Sequence, residues 1–369
     1  MIGICTRLLQ LPCKPSPSDV IPLTSRERLL CAMRLGTPDR VPVAPSEFGC
    51  LDPDSSLAQE LIERTDFIHL VGCGGDPFLG AAAQVDTRTE GNRTITTYHT
   101  PRGPLQAVVE HTGVTAARSE FPCKSYADAE KILSIPYEPP EPDATDYHRW
   151  NEKIDEQGVV LLSIVDGICW AADLFSPQDF CLMWMEARDL MIELTEVATQ
   201  RLCYFYSRLC EAGVELFRIV GGEYVSVQLG PEAYQCLVVE PDRRLVDVIH
   251  QYGGIAYFHN HGPITRYYHQ LLQIGPDAVD PLEAPPWGDC DIAEAKDRIG
   301  RKICLVGNLD DMEVLGKYPT EKVLAMGREL IEKAGPDGFV LAGTASGIYT
   351  EHAARNFIAL AELSKQIAG

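Results

Sequence analysis

A chain in which short, almost wholly apolar segments alternate with helical ones has few folds open to it. Such segments lie here at 41–44, 67–71, 159–165, 216–220, 255–258, 278–279, 303–306 and 339–341. Runs such as VVLLSIV and FVLA have scarcely any polar face, so they read as parallel strands buried on both sides. Most of the gaps carry helical periodicity, at 241–252, 264–273, 292–299, 320–334 and 351–367. Eight strands alternating with helices predict an α/β fold of the (β/α)₈ TIM-barrel type. An open doubly wound sheet is the alternative. Neither a G-x-G-x-x-G after the first strand nor a G-x-x-x-x-G-K-[ST] supports it.

The rest of the chain fits around this frame. Thr24-Ser25-Arg26-Glu27 is a capping box, in which the Thr24 hydroxyl and the Glu27 carboxylate satisfy each other's backbone N–H groups. Leu29, Leu30, Met33 and Leu35 then form an apolar stripe that ends at Gly36. Residues 1–23 read as a tail and 24–369 as one domain. Between the second and third strands, 86–112 reads as an inserted antiparallel hairpin, with turns at Glu90-Gly91-Asn92 and Pro101-Arg102-Gly103. The stretch 136–142 (PYEPPEP) is a rigid connector.

Two bulk properties narrow the function. A net charge of −21 opposes binding to nucleic acid or an anionic membrane, and no apolar run has transmembrane length. The 13 cysteines fall in no C-x-x-C or zinc-ribbon spacing, which suits free thiols in a reducing cytosol, so a cytoplasmic location is expected.

The chemical signal lies in where the polar residues fall. In a parallel barrel, functional groups collect at the C-terminal strand ends. Asp166 follows VVLLSIV, Glu223 follows LFRIVGG, and His259, Asn260 and His261 follow IAYF. Asp280 and Glu283 follow the next strand, Asn308, Asp310 and Asp311 the one after, and Thr344 and Ser346 the last. Two histidines at i and i+2 point to one side of an extended segment and can share a ligand. With Glu283 at the next strand end, His259 and His261 make a two-nitrogen, one-carboxylate set of the kind that leaves a divalent metal open positions. The competing reading is that they hydrogen-bond a substrate or cap the following helix. Asp280 and Glu223 are the expected carboxylate partners of the histidines. Glu223 sits in a Gly221-Gly222 turn suited to close approach by a ligand, and Asp289 is expected to cap the helix that starts near Asp291. His250, His269 and His352 lie on helical patterns and read as surface or packing residues.

Five segments together resemble the uroporphyrinogen decarboxylase and corrinoid methyltransferase superfamily. They are 24–43 (TSRERLLCAMRLGTPDRVPV), 222–224 (GEY), 257–263 (YFHNHGP), 280–289 (DPLEAPPWGD) and 305–309 (LVGNL). In that superfamily the decarboxylases hold tetrapyrrole carboxylates with arginines soon after the first strand; here 44–53 reads APSEFGCLDP, without arginine. The methyltransferase branch binds zinc through an H-x-C pair and a cysteine after the last strand. His259 matches its histidine, His261 stands at the first cysteine, Thr344 and Ser346 lie where the second belongs, and Glu283 matches a carboxylate that visits the metal.

The resemblance therefore implies a methyltransferase-like enzyme that moves a methyl group between a corrinoid and a thiol or related acceptor. Zinc or another divalent ion would be held by His259, His261 and Glu283. Glu223 and Asp166 would orient substrate, and Asn308 and Ser346 would contact the cofactor. The expected partners are a small-molecule substrate, a protein that carries the corrinoid (a cobalamin) and a second copy of the chain. The alternatives are a carboxy-lyase acting on another anionic substrate and a non-catalytic corrinoid- or tetrapyrrole-binding protein.

Overall fold

The computed structural model describes residues 22–113, 115–344 and 349–369. Eight parallel strands form the main sheet: β1 (Val43–Ala44), β2 (Phe67–Val71), β7 (Gly158–Val165), β8 (Leu216–Val220), β9 (Ile255–His259), β10 (Ala278–Asp280), β11 (Cys304–Asn308) and β12 (Phe339–Ala342). They are ordered β1-β12-β11-β10-β9-β8-β7-β2. The two ends meet. Asp66 N–H donates to the Val43 carbonyl at 2.9 Å, Ile68 N–H to Pro45 at 3.1 Å, and Glu47 N–H to Ile68 at 2.9 Å. The sheet is thus a closed barrel, with helices in the connections. The expected strands recur with ends moved by no more than two residues.

Closure makes side-chain parity meaningful, because successive residues of a strand point alternately into the barrel and out to the helices. Ala44, Ile68, Val159, Leu161, Leu216, Tyr257, Ala278, Val306 and Val340 belong to one buried cluster, the barrel interior. Phe67, Val160, Phe217, Phe258, Val279, Leu305 and Phe339 belong to another, between sheet and helices. Helix Ser25–Met33 plugs the lower end, with Leu29, Ala32 and Met33 packed into the interior cluster. Burying Leu29 and Met33 contributes about 1.5–3 kcal/mol each. The capping box at Thr24 and Glu27 is formed as the sequence predicts.

The insertion is larger than a hairpin. It is a four-stranded antiparallel sheet, β3 (Gln84–Glu90), β4 (Arg93–His99), β5 (Leu105–His111) and β6 (Ala116–Glu120), between β2 and β7. Its first two turns fall where glycine and proline mark them. The fourth strand, AARSE, has no alternating apolar pattern to betray it. Among the described residues no helix is long and apolar enough to cross a membrane.

The seam is locked by charge. Asp66 is fully buried and takes Arg28 Nη1 at 2.6 Å, Arg40 Nη1 at 2.7 Å and the Val43 N–H at 2.8 Å. One carboxylate therefore ties the plug helix, the approach to β1 and the start of β2. Replacing Asp66 with Ala strands the buried Arg40 guanidinium and leaves Arg28 with Asp39 alone, so a loss of about 3–5 kcal/mol is expected in urea denaturation. A loss below about 1 kcal/mol would show that the seam is held by the backbone bonds alone.

Candidate active site

Parity sorts the polar residues at the strand ends. The register aligns Val165 with Val220, Val220 with His259, and His259 with Asp280. His259 is two residues beyond inward Tyr257 and Asp280 two beyond inward Ala278, so both turn into the barrel. Asn308, two beyond Val306, does the same. All three are buried, at 3%, 2% and 8% exposure. His259 Nδ1 lies 2.8 Å from Asp280 Oδ1. Below them Arg218 is the one charged residue of its buried strand, bonded to Ser163 Oγ at 3.2 Å. Burial pushes the Asp280 carboxyl up, but the His259 ring, its hydrogen bond and the Arg218 charge outweigh that and hold it below its ordinary range.

His261 stands beside this pair. Its ring meets that of His259 edge to face, with centroids 4.5 Å apart. Its Nδ1 lies 3.1 Å from Glu283 Oε1, while Glu283 Oε2 accepts the Gly262 N–H at 2.7 Å. The Glu283 bond raises the His261 pKa, and this wins over partial burial. Burial pushes the Glu283 carboxyl up, but the bonds from His261 and Gly262 bring it below the usual value. The two shifts agree: the pair favours imidazolium and carboxylate. Asn260, of opposite parity, turns outward and is held by Tyr234 Oη, Ser226 Oγ and the His261 carbonyl.

Asp166 also has outward parity. Expected at the mouth, it is instead fully buried behind the strand, where Oδ1 accepts the Cys169 N–H at 3.2 Å and caps helix Gly167–Leu174. It also explains a glycine: a Cβ on Gly221, at φ +149°, would lie 2.0 Å from Asp166 Oδ1. Asp242, on helix Glu240–Gln251, lies beside Asp166, and Glu223 is near both; Asp166 Oδ2 and both Asp242 oxygens are buried with no hydrogen-bond donor among the described residues. Two carboxylates can only accept, so this contact is a hydrogen bond when one of them holds a proton. Burial, then the neighbouring negative charges, push both pKa values up. Glu223 is half-buried, and its Oε2 has no hydrogen-bond partner among the described residues.

The remaining expectations fall as follows. Asn308 lines a cavity of about 440 Å³ that also touches Glu283 and Thr344. Ser346 lies outside the described residues. Asp289 is a cap, but of a different helix: its Oδ1 accepts the N–H groups of Ile264 and Thr265, while Asp291 caps helix Ile292–Arg298 itself. Arg218 and Asp242 were missed. The signal for Arg218 was present, as a charge in the middle of LFRIV at an inward position.

The metal that the resemblance implies can be tested against the donor atoms. Each histidine uses Nδ1 on a carboxylate, which leaves one Nε2 apiece. Glu283 is engaged by His261 and Gly262. Among the described residues no group of three or more His, Cys, Asp or Glu side chains is arranged to hold a metal ion. As the side chains stand, the three-donor set does not fit.

The fold and site define a (β/α)₈-barrel protein with two carboxylate-backed imidazoles at its C-terminal mouth. The profile of the family described as uroporphyrinogen decarboxylase (URO-D) matches residues 159–367, and the chain belongs to that family. Among solved structures, a methyltransferase from Methanosarcina mazei is similar in fold, with a TM-score of 0.63 and 14% identity over 94% of this chain and 100% of that one. A B12-independent methionine synthase from Shewanella sp. W3-18-1 aligns less well, with a TM-score of 0.44 and 10% identity over 77% of this chain and 75% of that one. No curated protein matches the chain in sequence.

The buried acids carry a stability prediction. Folding raises the Asp166 and Asp242 pKa values. The stabilisation they allow is therefore complete below the ordinary aspartate pKa and is lost as pH rises through the folded values. Asp242→Asn supplies a permanent donor, so it should be more stable than wild type at pH 8, by on the order of 1 kcal/mol, and lose that advantage in acid. Melting curves across pH check this; a constant difference would mean that the pair does not share a proton.

Proposed function

We propose that this URO-D family member is a methyltransferase-like enzyme that transfers a methyl group between a corrinoid carried by a partner protein and a thiol or related acceptor. The observation that carries the reading is the pair of adjacent imidazoles, each backed by a carboxylate, one of which, Glu283, lines a cavity. The corrinoid supplies an electrophilic methyl carbon when bound. This chain must then present the acceptor sulfur as a thiolate and receive its proton.

The two histidines suit different halves of that task. His261, held toward its cationic form by Glu283, stabilises a thiolate beside it, as a histidinium does beside a cysteine. His259 donates Nδ1–H to Asp280, which leaves Nε2 to accept the thiol proton; Asp280 fixes the tautomer. Sulfur then forms its bond to the methyl carbon as the bond from that carbon to its carrier breaks, and the electron pair stays with the carrier. Zinc or another divalent ion at this site would require Glu283 to release His261. One zinc retained per wild-type chain and lost in His259→Ala would support a metal mechanism in place of this one.

The pH profile tests the assignment. Transfer that needs the His261 imidazolium falls as pH rises through its elevated pKa. Glu283→Gln removes the group that elevates it, so the alkaline limb should move to lower pH; His261→Ala should lower kcat/KM by roughly 100-fold. An unmoved limb in Glu283→Gln would contradict the role given to the pair. Separately, the arginine-free segment 44–53 leads us to expect no carbon dioxide release from uroporphyrinogen. Turnover of that substrate would favour the carboxy-lyase alternative.

A further inference from the structure

The cavity beside Glu283 has a definite chemical character. Among the described residues its charged lining is Glu283, Asp310 and Glu313, with no lysine, arginine or histidine, and its aromatic walls are Trp287 and Tyr318. A second cavity, of about 380 Å³, shares Asn308, Leu309 and Met326 with it and adds Asp289, Asp291 and Glu329 against a single cation, Lys333. That lysine pairs within the lining with Glu329 at 2.6 Å, which leaves Asp289 and Asp291 as the lining's acids without a lysine or arginine partner among the described residues. Glu313 meets Lys317 only at the surface, and Asp310 spends Oδ1 on the Met312 and Glu313 N–H groups, leaving Oδ2. Trp287 is 62% exposed, an unusual setting for a large ring unless it covers something. Tyr318 already carries one cation, Lys322 Nζ, 3.5 Å from its ring centre.

Acidity alone would not make this a binding site. Asn308 is the second observation. It ends β11, is only 8% exposed, lines both cavities, and its side-chain amide makes no hydrogen bond with the described residues. Its amide is therefore free to bond a molecule that enters the cavity.

We propose that this cavity binds a small cationic molecule, its positive head held by Asp310, Glu313 and the Trp287 ring and its polar body by Asn308. On the methyl-transfer reading, which this inference deepens, the acceptor is an aminothiol whose sulfur reaches the Glu283–His261 end. Carboxylates and an aromatic face attract ammonium by charge and by the ring quadrupole. The same lining, on a chain of net charge −21, repels carboxylated or sulfonated thiols.

Calorimetric titration of the full chain with tetramethylammonium, cysteamine and 3-mercaptopropionate tests the proposal. Both cations should bind, more weakly as salt is raised, and 3-mercaptopropionate should not. Asn308→Leu and Glu313→Gln should each weaken tetramethylammonium binding by about tenfold; Glu313 is exposed, so its variant keeps the test sound if the buried one misfolds. Binding of 3-mercaptopropionate as tight as that of cysteamine, no binding of either cation, or unchanged affinity in Glu313→Gln would overturn it. Tetramethylammonium has no thiol, so the cavity is tested apart from the chemistry. Cation binding without methyl transfer to cysteamine would sink the transferase reading and leave the cavity assignment standing.

Discussion

The structure depends on the closure of the barrel between β1 and β2, and closure depends on Asp66. Without solvent, that carboxylate is stable only because two guanidinium groups and a backbone N–H surround it. It joins the plug helix to both edges of the seam. An open edge would let strands slip, and a slip of one residue exchanges the inward and outward sets. The chemistry at the mouth is thus tied to an ion cluster at the other end of the strands.

Given that register, neighbours along the chain take opposite roles. His259, Asp280 and Asn308 enter the barrel, where Arg218 supplies a buried positive charge beneath Asp280. Asp166 and Asn260, one residue beyond inward positions, leave it. Asp166 and Asp242, behind the strand, lie together with no ion pair among the described residues, so burial and like charge favour their protonation. The inward acids Asp280 and Glu283 have imidazole partners and favour ionisation. One barrel end therefore holds carboxyls of both kinds, separated by the thickness of a strand.

Much of this was legible in the sequence. The eight strands, the plug helix with its capping box and the grouping of His259, His261, Asp280 and Glu283 all follow from apolar runs and from polar residues just past them. What a strand-end rule misses is parity. It treats Asp166 and Asp280 alike, because both follow an apolar run, although the alternation within VVLLSIV and AVD sends them to opposite faces. Long-range partners were hidden for another reason. Asp242 sits on an amphipathic helix 76 positions beyond Asp166, and nothing local marks its face as touching another acid. The helices between 167 and 211 were also unread: GICWAADL is apolar on most sides and blurs the helical period, whereas 188–211 carries a helical stripe at Leu190, Leu194, Ala198, Leu202, Phe205 and Leu209 that could have been found.

The central claim is that His261 and Glu283 form an imidazolium–carboxylate pair at the mouth. Nitrogen-15 NMR of histidine-labelled protein, titrated through neutral pH, reads it directly. The account predicts a His261 ring protonated on both nitrogens and losing its proton above the ordinary histidine pKa, with that elevation abolished in Glu283→Gln. A His261 titration at or below the ordinary value, unchanged in Glu283→Gln, would contradict it.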